Sequence, residues 1–107
     1  MITEYVLFKL PPGIPREEVV RGMHEVAPRW QREHSLIRKT FIYDPVAGQA
    51  GAFYLWQNRA DAERAHDAAW RQRIRDSYGS EPVVQYFETP LVVDNALGRL
   101  VEEGPRA

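Results

Sequence analysis

The strand-like segments of this chain are apolar at both parities. In "ITEYVLFKL", Val6 and Phe8 alternate with Tyr5 and Leu7; in "AFYLWQ", Phe53 and Leu55 alternate with Tyr54 and Trp56. Successive side chains of a strand point to opposite faces, so residues two apart share one. A sheet made of such strands needs cover on both sides. What can supply that cover depends on how many helices the chain holds and where they fall.

Only two stretches carry a helical period. The first begins near Pro15, a favoured first-turn residue, with Glu17 and Glu18 suited to the positive end of the dipole. Its stripe is Val20, Met23, Ala27 and Trp30, and Pro28 inside it is expected to kink or break the helix. The second is expected from Arg59 to Ser77, capped by Asn58 and stopped at Gly79. Around them lie "ITEYVLFKL", closed by Pro11, Pro12 and Gly13; "LIRKTFIYD" and "AFYLWQ", joined through "PVAGQAG"; and "PVVQYFETPLVVD", where Pro90 implies an edge, a bulge or a two-part strand. The order is β-α-β-β-α-β. It predicts an α+β, ferredoxin-like domain over residues 1–95: a four-stranded antiparallel sheet with two helices on one face. The other face then calls for a second copy, so the expectation is a twofold homodimer. Residues 96–107 read as a polar tail whose Leu97 and Leu100 could dock on a neighbour.

A length of 107 residues suits one domain. The net charge of -1 gives no basic excess for nucleic acid. There is no cysteine, which excludes disulfides, thiolate metal sites and a cysteine nucleophile, and fits a cytoplasmic setting. The opening "MITEYVLFKLPPG" lacks the basic lead and long apolar run of a signal peptide. No segment approaches the roughly 20 apolar residues of a membrane helix. "PPG" and "VAGQAG" are turns without the strand-loop-helix setting of a phosphate loop, so no nucleotide cofactor is expected. No serine lies in a nucleophile-elbow pattern.

The chemistry-bearing candidates cluster on the second helix. Ala62, His66, Trp70 and Ile74 recur at one-turn spacing on one side. They can be plain packing, with His66 bordering the core on one hydrogen bond. Alternatively the small alanines leave a pocket into which the imidazole points, and histidine suits proton transfer near neutral pH. His24 edges the stripe of the first helix, and His34 follows that helix beside Glu33 and Ser35. The three histidines lack metal-ligand spacing or a carboxylate partner pattern, which argues against a zinc or iron site. Tyr54 and Trp56 share a face of the third strand; Tyr43 and Tyr86 lie in the second and fourth. Sheet core or dimer seam is one reading, the wall of an aromatic-binding pocket the other. Arg38 and Lys39 take opposite faces, so one must point inward or into the seam, where it could pair with a carboxylate or hold an anionic substrate.

The stretches "AGQAGAFYLWQNRADAERAH" and "YGSEPVVQYFETPLVVDN" resemble the YdhR-type monooxygenases, within the dimeric α+β barrel group that includes the antibiotic biosynthesis monooxygenases. The likeness implies two sheets facing each other as a barrel, with a pocket in each subunit between sheet and helices. It departs from the haem-degrading branch, since "EYVLFKL" has no asparagine. Fold analogy does not choose a chemistry within this group. The expectation drawn from likeness and residues together is a cofactor-independent monooxygenase for a small aromatic, polyphenolic or polyketide-like molecule. His66 would be its base, and Trp70, Tyr54, Trp56 and His24 its substrate-binding walls. The alternatives are a cyclase or lyase using the same pocket without oxygen, and a non-enzymatic ligand-binding or stress-related module.

Overall fold

The computed structural model describes residues 1–103. Its elements are β1 (Ile2–Lys9), α1 (Arg16–Gln31), β2 (Leu36–Asp44), β3 (Gln49–Trp56), α2 (Arg59–Ala65), α3 (Ala68–Tyr78), β4 (Val83–Glu88), β5 (Leu91–Asp94) and β6 (Arg99–Glu102). Strands β2-β3-β1-β4 form one antiparallel sheet in that spatial order, the ferredoxin-like arrangement. Among the described residues no helix is long and apolar enough to cross a membrane.

The helical layer has three helices, not two. The stretch expected to run unbroken from Arg59 to Ser77 parts at His66 and Asp67. Asp67 takes an extended backbone and its carboxylate accepts the amide of Trp70 at 2.9 Å, capping α3. Asn58 caps α2 in the same way, accepting from the amide of Asp61 at 2.9 Å. A second Asx cap therefore interrupts what periodicity reads as one helix. Gly79 ends α3 with a left-handed backbone (φ 75°), as glycine there permits. Pro28 does not break α1, which continues to Gln31; it lies in the last turn, where the lost donor disturbs least. Pro15 stands one position earlier than expected, as the capping residue.

Pro90 divides the last strand. β4 stays in the sheet, while β5 pairs with β6 as a separate hairpin. Residues 99–102 of the expected tail are thus a strand, and residues 104–107 lie outside the described residues. The hairpin returns to the helix-free side of the sheet: Arg38 pairs with Asp94 at 3.1 Å, and Met1 with Glu103 at 2.8 Å.

The core lies between helices and sheet. Val6, Ala52, Tyr54 and Trp56 from the sheet meet Trp30, Ala62 and Trp70 from the three helices. Register aligns these side chains in rows across the strands. Lys39, Tyr54, Glu4 and Tyr86 form one row, and Phe41, Ala52, Val6 and Val84 the next. The first row is polar-tipped. The second has a small residue at its middle, as does the following row at Ala50. A floor of alanines beside a wall of rings leaves space under the helices.

Candidate functional site

That space is a cleft of about 690 Å³ between α1, α3 and the sheet. The size is that of a small-molecule site. Ala50, Ala52 and Val6 contribute to the floor, Met23 and Ile74 to the helical walls, and Tyr54, Trp30 and Trp70 to the aromatic wall. Its cations are Arg29, Lys39 and Arg73, with one carboxylate, Glu25.

Of the residues expected to line a pocket, Trp70 and Tyr54 do. Trp56 does not: it is wholly buried, and its indole nitrogen donates to Glu4 Oε1 at 2.9 Å. His24 does not either, since it lies exposed on α1. His66 also stays out of the cleft. Its side chain has no solvent exposure, and its ring packs edge-on against Trp70 (4.3 Å between centroids) and Tyr54 (4.6 Å). The helix break explains this. As the C-cap of α2, with φ −113° and ψ 55°, His66 drops its ring into the core behind the cleft wall.

His66 has a carboxylate partner that local spacing cannot reveal. Nδ1 lies 2.7 Å from Glu4 Oε1, the oxygen that also receives Trp56. The approach is close without alignment of an N–H, so among the described residues both imidazole nitrogens are without an aligned hydrogen-bond partner, while the Glu4 carboxylate also meets the Tyr86 hydroxyl. Glu4 has zero exposure. The signal for it was parity: Glu4 shares the inward face of Val6 and Phe8. Its influence reaches the neighbouring rings. Burial, and after it the charge of Glu4, raises the Tyr54 and Tyr86 hydroxyls well above the ordinary phenol range.

Lys39 is the basic group that does line the cleft. Its Nζ stands 4.1 Å from the ring centre of Phe41, 4.2 Å from that of Trp30 and 4.7 Å from that of Tyr54. Burial lowers its pKa from 10.5 to about 7, helped by the Arg29 cation and opposed by Glu4. Arg38, on the opposite face, is the one that meets a carboxylate, Asp94. Of the two, register turns Lys39 inward, on the parity of Phe41 and Tyr43.

The sheet and helices define the class of the protein by fold, a ferredoxin-like α+β domain. The chain belongs to the family described as "Putative mono-oxygenase ydhR", whose model matches residues 7–92. No curated protein compared matches it in sequence. Among solved structures it is similar to protein YJCS, from structural genomics, at 10% identity and a TM-score of 0.59, over 81% of this chain and 98% of that one. At that identity the likeness is one of fold.

Proposed function

We propose that the cleft is the active site of a cofactor-independent monooxygenase for a flat aromatic, polyphenolic or polyketide-like molecule, with Lys39 as its base. One observation carries the reading: the cleft of a mono-oxygenase family member holds an amine set among the rings of Trp30, Phe41 and Tyr54, where burial lowers its pKa to about 7. A base poised near the working pH combines the right protonation state with driving force for proton transfer. Neutral Lys39 takes the proton of an acidic phenol or enol, and Arg29 in the same lining stabilises the anion. The electron-rich anion then meets dioxygen. Conversion of a ring-flanked CH2 to C=O consumes one dioxygen and releases one water, so the substrate supplies the electrons itself. His66 supports the wall rather than touching the substrate: with Glu4 it fixes the rings of Trp70 and Tyr54. The bare sheet face is, in the same proposal, closed by a second copy of the chain.

The test is oxygen uptake by metal-free protein over a panel of hydroquinones and hydroxyanthrones. Uptake should be fully present above the Lys39 pKa of about 7 and fall away as pH drops through it, because only the free amine accepts a proton. Lys39→Met should remove that limb together with most of the rate. Absence of uptake across the panel, or an unchanged profile in Lys39→Met, refutes the reading; turnover without oxygen would point to a cyclase or lyase.

A further inference from the structure

We propose that Lys39 is also a covalent site for carbonyl compounds, forming an imine with an aldehyde or ketone whose flat apolar body occupies the cleft. Lysine is rare in this chain. It stands only at positions 9 and 39, whereas the remaining basic side chains are arginine. Arginine is the better residue for ion pairs and stacking; the lysine amine is the one that can lose its proton and attack a carbon. Among the described residues no carboxylate closes an ion pair with Lys39, and its nearest company is three aromatic rings.

The surroundings suit such an adduct. Lys39 meets Arg29 and Trp30 from α1, Tyr54 from β3 and the field of Glu4 from β1; Glu25 and Arg73 complete the charged groups of the lining. Both burial and Arg29 favour the neutral amine over the ammonium. The Tyr54 hydroxyl, held protonated by burial, is a donor on the same wall. In the step itself the Nζ lone pair attacks the carbonyl carbon and the C–O π pair moves to oxygen. The carbinolamine then loses its oxygen with two protons as water, and the C=N bond forms. No electrons leave or enter, so no oxidant is required. The alanine floor and ring wall give the flat body of the adduct its contacts.

The experiment uses the full chain, naphthaldehyde as probe and cyanoborohydride to reduce the imine to a stable amine, read by intact mass and peptide mapping. Three amines compete: Lys39, the exposed Lys9, and the α-amino group of Met1, which is paired with Glu103. At neutral pH Lys39 should be labelled at least about tenfold faster than Lys9, since burial and the Arg29 cation favour its free amine inside a cleft that holds the probe's ring. Naphthol, which matches the flat ring of the probe but forms no imine, should slow labelling at Lys39 and leave Lys9 unchanged. In urea-unfolded chain the preference should vanish. Equal labelling of both lysines, label confined to Met1, or a Lys39 rate untouched by naphthol overturns the proposal. The readout needs neither oxygen nor turnover, so it stands apart from the monooxygenase test.

Discussion

A carboxylate with no exposure has to be compensated by what surrounds it, and for Glu4 that is the Trp56 indole, the His66 ring and the Tyr86 hydroxyl. Trp56 and His66 converge on Oε1, tying β1 to β3 and to the turn between α2 and α3. Glu4→Ala leaves the Trp56 indole N–H buried with no acceptor and removes the carboxylate beside the buried imidazole. It should destabilise the fold by about 3–5 kcal/mol, the usual loss when one partner of a buried pair is removed. Glu4→Gln keeps an oxygen for Trp56 and should lose clearly less. Urea unfolding followed by tryptophan fluorescence measures both, since Trp30, Trp56 and Trp70 share this core. Equal losses in the two variants would mean that the volume of the side chain matters and its acceptor does not. The same residue marks the limit of sequence reading. Glu4 could be placed on the inward face by parity, while the choice between Arg38 and Lys39 stayed open until register decided it. The meeting of Glu4 with His66 and of Lys39 with the cleft could not be read, because it depends on register between strands far apart in the chain.

At the scale of elements, polar side chains set two boundaries that pattern reading missed. Asp67 cut the second helix in two, although Ala62, His66, Trp70 and Ile74 keep perfect one-turn spacing across the cut. The β5-β6 hairpin repeats the turn chemistry of the β2-β3 hairpin. Asp44 Oδ1 accepts the amides of Val46 and Ala47 at 3.0 Å, and Asp94 Oδ1 that of Leu97 at 3.0 Å. In each case a glycine follows four residues later with a left-handed backbone, Gly48 at φ 66° and Gly98 at φ 65°. The likeness of "DPVAG" and "DNALG" was therefore the signal that residues 96–102 are a hairpin arm and not a tail. The carboxyl of Asp94 is held below its ordinary 3.8, first by the Leu97 amide and with help from Arg38, against the pull of desolvation. A lowered native pKa stabilises fully above the ordinary value and is lost as pH falls through the native one. Hairpin docking should thus be intact at neutral pH and fail in acid, below 3.8. Asp94→Asn should weaken docking at neutral pH, with amide exchange at Leu97 and Val101 several-fold faster, and should blunt the acid dependence. Unchanged exchange would show that the ion pair and turn do not hold the hairpin.

For the whole molecule, the alternation that puts Tyr54 in the cleft wall puts Phe53 on the opposite face, where it is 45% exposed. Val83 and Phe87 of β4 are similarly half-exposed on that face. The hairpin covers only part of it: Val92 reaches the region of Leu55, while Val93 and Leu100, paired across the hairpin, point outward and are exposed. A two-stranded hairpin apolar on both sides, lying beside a bare apolar sheet, is an unstable arrangement in water for a lone chain. A twofold partner resolves both defects with one surface, since each copy offers a sheet face and a hairpin. Sedimentation should accordingly find a dimer. Phe53→Glu and Phe87→Glu should convert it to monomer and lower its melting temperature. Val46 supplies the control. At 96% exposure it is the most exposed large apolar residue, yet it sits in the β2-β3 turn, so Val46→Glu should leave the dimer intact. A wild-type monomer, or a dimer indifferent to Phe53→Glu, would remove the seam from the picture. It would leave the cleft untouched, because the cleft opens on the other side of the same strands.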